Sequence, residues 1–346
     1  SPETVSILMS VYNEEKVIAE KLESIINSDY PIDKLEILIG SDGSSDKTDN
    51  IILKYSNKYP QIKFERFGGR NGKPSIIEKL KKGAVNDILI ITDANVFFEK
   101  NTIKELVKHF NDPKIGLVDS RMTNTGFKKE GISIQEKGYI NMEGNLKYFE
   151  GELFNCLIGP FGGCYAIRKS LLPNVPKTFR VDDFFICMHV LESGYFSICE
   201  RKAIVHEDVS NIIGEEFRRK SRIATGNIQN FIYYKHLLIS LNKTYVWCYI
   251  SHKVIRWLGP ILLISMFLSN LLIQQTNILF KLTLLGQCIF YTCALFDQIL
   301  KNYGIHSVLL RYTTHFVAMN AALFMGIIEY LKGVKTNVWE PTKRYQ

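Results

Sequence analysis

Short apolar runs alternate with helical stretches through the first ninety-odd residues. Val5–Met9, Leu35–Ile39, Ile62–Arg66 and Ile88–Thr92 are β-branched runs of strand length. Between them lie helical stretches near Glu14–Asn27, Lys47–Asn57 and Ser75–Val85. The runs are nearly continuous rather than alternating, as parallel strands covered on both faces would be. Four strands separated by three helices predict a doubly wound, mostly parallel α/β sheet within residues 1–230. Ligands of such a sheet bind beyond the carboxyl ends of its strands. The segments there are Ser10–Glu14, Ser41–Asp46 and Asp93–Asn95, and each carries at least one acid.

The texture changes from about Tyr245. Leu258–Ile273 and Leu282–Phe296 are free of charge, and Phe316–Ile328 continues the pattern. Each core is shorter than the ~20 residues that span ~30 Å of hydrocarbon. Each lengthens if flanking Trp247, Lys253, Arg256, Lys281 and Arg311 sit at the interface and snorkel. Buried helices of a soluble protein are the competing reading, but three such segments with almost no acids point to a C-terminal α-helical membrane region over residues 231–346. Phe231–Leu241 reads as a helix lying in the interface. The basic stretch Lys332–Arg344 is placed in the cytoplasm by the positive-inside rule. A cytoplasmic α/β domain then requires an even number of crossings, so one of the three segments is expected to be interfacial or re-entrant.

Charge follows the same division. Residues 231–346 hold eleven Lys and Arg against three acids, which accounts for the whole net charge of +8, while residues 1–230 are neutral. The excess positive charge follows apolar segments rather than a solvated groove, which excludes nucleic acid as a partner. With 46% apolar and 23% charged residues, the chain is neither disordered nor membrane-embedded throughout. Its seven cysteines show no C-x-x-C spacing, and reduced, mostly buried thiols suit a cytosolic compartment. The sequence opens at Ser1 without Met or a signal-peptide pattern, so a preceding segment is expected.

Candidate chemistry lies at the strand ends. In Asp93-Ala94-Asn95, side chains at i and i+2 of an extended segment point the same way, so Asp93 and Asn95 could face one Mg²⁺ or Mn²⁺. Asp-x-Asn also starts turns. Asp42-Gly43-Ser44-Ser45-Asp46 reads equally as a turn with a helix cap. Gly68-Gly69-Arg70-Asn71-Gly72-Lys73 lacks Walker A spacing, yet a glycine-rich loop with two cations could hold a diphosphate. Asp182-Asp183 could be a helix N-terminal pair. Arg218-Arg219-Lys220 could be a solvated or lipid-facing cluster, Trp339 a membrane-belt anchor, and His206 before Glu207-Asp208 a surface cluster.

The ordered combination is more specific than its parts. Ser10-Val11-Tyr12-Asn13-Glu14, Asp42-Gly43, Gly72-Lys73 and Asp93-Ala94-Asn95 follow in sequence, and together they resemble the membrane-bound family-2 inverting glycosyltransferases with the GT-A fold. The chain is similar to synthases of hyaluronan, chitin oligosaccharide and poly-N-acetylglucosamine over about residues 4–230 and in its tail. Phe161-Gly162-Gly163-Cys164-Tyr165-Ala166-Ile167-Arg168 resembles the segment bordering the acceptor site. Asp182-Asp183 falls at the family's acidic pair, whose second member is the catalytic base. Phe217–Gly226 aligns with Q-x-x-R-W, with Arg219 for Gln, Arg222 retained and Ile223 for Trp. Trp339-Glu340-Pro341-Thr342-Lys343-Arg344 resembles a closing W-x-x-T-x-R.

The resemblance implies transfer of a sugar from a UDP-sugar to a hydroxyl of a saccharide or lipid-linked acceptor, at the cytoplasmic face of a plasma or inner membrane. Val11, Tyr12, Asn13, Glu14 and Asp42 would bind the nucleoside. Lys73, Arg219, Arg222, Trp339 and Arg344 would meet the donor phosphates and sugar. Asp93 and Asn95 would hold Mg²⁺ or Mn²⁺, Gly162, Gly163 and Asp182 would line the acceptor side, and Asp183 would be the base. Asn95 in place of an acid weakens the expected metal site, and the missing Trp at Ile223 argues against long-chain processive synthesis. A polyprenyl-phosphate or lipid glycosyltransferase, attacking with a lipid phosphate or lipid hydroxyl, and a non-catalytic membrane scaffold are the rival readings. A nucleotidyltransferase would carry a glycine-rich loop directly after the first strand, and Ser10–Glu14 contains no glycine.

Overall fold

The computed structural model describes residues 3–125, 133–208, 213–304 and 307–338. Four strands, β1 (Val5–Val11), β2 (Leu35–Ser41), β3 (Ile62–Arg66) and β4 (Ile88–Thr92), lie parallel in the order β3-β2-β1-β4. The crossovers between them are α1 (Ile18–Ile26), α2 (Thr48–Lys58) and α3 (Lys73–Gly83). All of β2 and β4 is buried, and β1 is buried at every position but Ser10. Such strands need cover on both faces, and each face has its own apolar cluster.

Helix α1 shows how the sequence achieves this. Ile18, Lys21, Leu22 and Ile25 repeat at helical spacing and all are buried, so a lysine sits inside the apolar stripe. Past β4 the sheet changes sense. Strand β5 (Val96–Phe98) forms one edge, β6 (Ile115–Thr125) lies deep in the sheet, and β7 (Cys164–Arg168) runs antiparallel between β4 and β6. Strand β8 (Phe196–Asp208) runs parallel to β6 and antiparallel to β5. The eight-stranded order is β3-β2-β1-β4-β7-β6-β8-β5. Pairing of Val11 with Ser41 and of Met9 with Thr92 brings the carboxyl ends of β1, β2 and β4 to one rim.

The remaining helices of this part are α4 (Thr102–Val107), α5 (Ser133–Phe154), α6 (Asp182–Glu192) and α7 (Ile213–Tyr233). Residues Phe231–Leu241 do not form the single interfacial helix expected from the sequence. Helix α7 ends at Tyr233, and a 3-10 turn follows over Lys235–Ile239. Tyr234 and Leu237 are buried, with the Tyr234 hydroxyl donating to Phe185 O at 2.9 Å, while Ile239 and Leu241 are exposed. The break follows from packing: Tyr233 and Tyr234 both lie against the Phe185 ring, which turns the chain inward.

Next come α8 (Thr244–Cys248), a π-helical turn (Tyr249–Val254) and α9 (Ile255–Trp257), which meet α10 (Gly259–Ile273) at 61°. Pro260 lies in the first turn of α10, where its missing N–H costs no helical bond. Helices α11 (Ile278–Asn302) and α12 (Val308–Leu331) are each long and apolar enough to cross a membrane. Two of the three apolar segments are thus straight candidate spans, and the third belongs to a bent pair that is either a broken span or a re-entrant loop.

Helix α12 packs on α7 with almost no space between backbones. A Cβ on Gly326 would lie 2.4 Å from Ala224 Cβ and 2.7 Å from Ser221 O. At the same contact Thr225 Oγ1 donates to Glu329, whose other oxygen lies 2.7 Å from Arg180 Nη1. Gly326→Leu is expected to destabilise by about 1–3 kcal/mol through overpacking. The check is thermal unfolding of the detergent-solubilised protein, in which an unchanged midpoint contradicts the close approach.

Candidate active site

The rim is built by interlocking turns. After β1 the chain reverses at Asn13, whose φ is 53°. Its N–H donates to Ser44 Oγ at 3.1 Å, and its Oδ1 accepts from Ser45 N at 2.8 Å. Glu14 N–H donates to Thr48 Oγ1 at 2.8 Å, and Val11 O accepts from Asp42 N at 2.8 Å. These bonds weld the turn after β1 to the turn after β2, so Val11, Tyr12, Asn13, Glu14 and Asp42 are brought together.

Asp42 is 3% exposed, and its carboxylate faces the glycine-rich loop. It accepts from Asn71 N at 2.6 Å, from Asn71 Nδ2 at 3.1 Å and from Gly72 N at 3.0 Å, with Arg70 Nε at 3.4 Å. Through these bonds it organises the loop that delivers Lys73. The Arg70 guanidinium stacks 3.3 Å over the Tyr12 ring. Asn337, near the end of the described chain, abuts the same loop: a Cβ on Gly72 would lie 2.2 Å from its Oδ1. Trp339 and Arg344 lie outside the described residues.

Lys73 opens α3 and bridges the β4 rim to the turn before β7. Its Nζ is 2.6 Å from Asp93 Oδ1 and donates to Gly162 O at 3.0 Å. Burial alone would lower its proton affinity, but Asp93, Asp182 and Asp183 outweigh burial and hold it above the ordinary lysine value. Gly163 O accepts from Asp93 N at 2.9 Å and from Thr92 Oγ1 at 3.0 Å. Gly162 is bare against the candidate base: an added Cβ would lie 2.4 Å from Asp183 Oδ2. Asp93, Lys73, Gly162, Gly163, Asp182 and Asp183 therefore share one locale, although residues 93 and 183 are far apart in the chain.

Asp182 and Asp183 occupy the first turn of α6, where the helix dipole favours negative charge. Burial and then the neighbouring Asp182 raise the Asp183 carboxyl to about 6, against the pull of Phe184 N–H, Lys73 and Lys147. Across from this pair, Arg222 of α7 lies within electrostatic reach of both acids. Burial and Arg219 lower its proton affinity to about 10, opposed by those acids. Arg219 itself turns back along α7, its Nε 2.6 Å from the buried Glu216 carboxylate.

The expected pairing of Asp93 with Asn95 is not what forms. Val96 N–H bonds back to Asp93 O at 3.3 Å, so Asp93–Val96 is a turn and the i, i+2 rule of extended chain does not apply. Asn95 Nδ2 instead donates to Glu207 Oε1 at 3.0 Å. Among the described residues no three of His, Cys, Asp and Glu converge on one point. A divalent cation still fits in the manner of Mg²⁺ sites completed by substrate phosphates and water, with the one-third-exposed Asp93 side chain as protein ligand.

Three residues of this locale went unread in the sequence. Lys21, fully buried, donates to Thr92 Oγ1 at 2.9 Å and to Val96 O, bracketing the Asp93 turn from below. Burial pushes it down to about 7, against Cys164 and Asp93. Its signal was a lysine at an apolar helical position. The other two are Asp119 on β6, 1% exposed, and Lys147 on α5.

Residues 6–174 match the Glycosyl transferase family 2 description. The beta-monoglucosyldiacylglycerol synthase of Synechocystis sp. is 29% identical over 119 residues, 34% of this chain and 25% of that protein. The poly-beta-1,6-N-acetyl-D-glucosamine synthase of Staphylococcus epidermidis is 29% identical over 233 residues, 65% of this chain and 54% of that protein. The chain spans about half the length, or less, of the curated relatives it matches. Among solved structures, the mannosyltransferase PcManGT from Pyrobaculum calidifontis, in complex with GDP-Man and Mn²⁺, superposes with a TM-score of 0.70 at 19% identity, over 96% of this chain and 89% of that one. The matched segment contains β1 to β4, their rim of acids and Lys73, so the chain carries a glycosyl transferase family 2 domain over residues 6–174, and its fold is GT-A.

Proposed function

We propose that this chain transfers a sugar from a UDP-sugar to a hydroxyl of a saccharide or lipid-linked acceptor, with inversion, at the cytoplasmic face of a membrane. Residues 1–230 act as the catalytic domain and 231–346 as its membrane base. One observation carries the reading: Lys73 joins Asp93 to Gly162, and Gly162 abuts Asp183. A cation suited to a leaving diphosphate and a carboxylate suited to an acceptor proton thus share one wall.

The nucleoside lies over the welded turns, with Tyr12 and Arg70 offering a stacking platform and the Val11–Glu14 backbone its edge. Lys73 and Arg222 meet the diphosphate, the lysine as a point charge and the arginine by its planar fork. Arg219 joins them on leaving Glu216. Trp339 and Arg344 keep the donor-side role implied by resemblance. Asp93 would hold a Mg²⁺ or Mn²⁺, which would supply charge neutralisation for the leaving diphosphate. Gly162 and Gly163 present bare backbone, which leaves room for an acceptor beside Asp183 and Asp182. Asp183 takes the acceptor proton as its oxygen attacks the anomeric carbon, and a single displacement inverts that centre.

Three outcomes test the reading with detergent-solubilised protein and a donor panel of UDP-sugars and GDP-mannose. Asp183→Asn is expected to slow nucleoside diphosphate release by ~10²–10⁴-fold, and release at the wild-type rate refutes the assignment of the base. Because Asp183 is raised to about 6 and must be ionised to accept a proton, kcat/KM should be flat above that pH and fall about tenfold per unit below it. Chelation by EDTA should abolish release, and Mn²⁺ or Mg²⁺ should restore it. Undiminished turnover in EDTA removes the metal from the scheme. Radiolabel in the organic phase marks a lipid-linked product, and an aqueous size ladder marks a polysaccharide.

A further inference from the structure

Strand β6 runs through the interior of the sheet, and Asp119 lies in it opposite Tyr165 of β7 and Cys199 of β8. Its neighbours Leu117, Val118 and Ser120 are buried, as is Asp119 itself at 1% exposure. A carboxyl group in such a strand is costly unless it is bonded. Both of its oxygens lie 2.9 Å from the same donor, the backbone N–H of Phe161. Among the described residues no cation comes within ion-pair distance of it. Lys147 is its countercharge in longer reach, and Asp119, ahead of Glu143 and Asp183, offsets the effect of burial on that lysine.

The bonded turn is the one on which both halves of the site converge. Gly162 O accepts from Lys73 Nζ, and Gly163 O accepts from Asp93 N and Thr92 Oγ1. On its other side Gly162 has no side chain and abuts the Asp183 carboxylate. Two glycines make this turn pliant by themselves, since neither brings a side chain to fix it. The sheet supplies the fixed point one residue earlier, through Phe161 N–H.

We propose that Asp119 is a positioning residue, which anchors the Phe161–Gly163 turn to the sheet and so sets the distance between the Lys73–Asp93 pair and Asp183. This rests on the glycosyl-transfer reading above but adds a residue that touches neither donor nor acceptor. Its effect therefore falls on the rate of the chemical step rather than on donor binding. A displacement of about 1 Å between reacting groups can slow a reaction by ~10²-fold, and loss of the anchor permits movement of that order.

The test uses the full chain in detergent, with Asp119→Ala and Asp119→Asn. Alanine removes the acceptor for Phe161 N–H, whereas asparagine keeps one carbonyl oxygen there without the charge. Asp119→Ala is expected to lower kcat about 10–100-fold with donor KM within about twofold, and to speed amide exchange in the peptide covering residues 158–164. Asp119→Asn is expected to recover most of the kcat and the protection of that peptide. Wild-type kcat in Asp119→Ala overturns the inference. So does an Asp119→Asn variant as impaired as alanine with faster exchange spread across the sheet, because that marks general damage to the fold. Should wild type transfer no sugar at all, the glycosyl-transfer reading fails by itself. The anchor is then judged on exchange alone: faster exchange confined to 158–164 in Asp119→Ala sustains it, and unchanged exchange there overturns it.

Discussion

A single ammonium group ties the site together. Lys73 Nζ bonds to Asp93 on the β4 rim and to Gly162 O on the facing turn, so the two walls of the cleft are joined through one side chain. A half-buried cation with acids on several sides is stable only while those acids remain close, and their closeness in turn depends on it. In the proposed reaction, the donor diphosphate competes for the same ammonium. Its binding replaces one set of charge-assisted bonds with another, in a site whose donors are already oriented.

The scaffolding behind that group is layered. Asp42 receives three N–H groups and an arginine from the loop that ends at Lys73, and Asn337 closes over the same loop from the far end of the described chain. Lys21 supports the Asp93 turn from beneath, and Asp119 supports the Phe161–Gly163 turn. Asp42, Lys21 and Asp119 are buried, and each directs an ionisable group at backbone atoms, which fixes a turn more firmly than packing of its own small residues could.

The apolar C-terminal helices are coupled to this structure by polar contacts. Glu143 of α5 accepts from Lys253 and Arg256 beside the π-helical turn, and His252 lies between Glu143 and Glu150. Those partners hold Glu143 well below the usual carboxylate range despite its burial. Arg180 and Thr225 meet Glu329 of α12 where Gly326 lets the helices touch. Arg222 lies in the same turn of α7 whose Ser221, Ala224 and Thr225 meet α12, so the arginine within electrostatic reach of Asp182 and Asp183 is set by the packing of the apolar base.

Much of the sheet was legible because strand burial is a local property. Runs such as Ile88–Thr92 say that both faces are covered whatever covers them, and all four early strands and three crossover helices formed where expected. The order of motifs along the chain likewise announced the family. Partners were not legible, because a side chain's partner is set by chain segments far away. Asp42 found Asn71, Lys73 found Asp93 and Gly162, and Asp119 found Phe161. Asn95 found Glu207, because Asp93–Val96 is a turn rather than extended backbone. Lys21 and Asp119 were passed over because a charge inside an apolar run gives no local sign of what will neutralise it. The sequence determined where the early strands and helices would form and which acids would lie at the strand ends. Only the tertiary structure decided which of them would meet, because electrostatic and hydrogen-bond energies depend on distances across the fold and not along the chain.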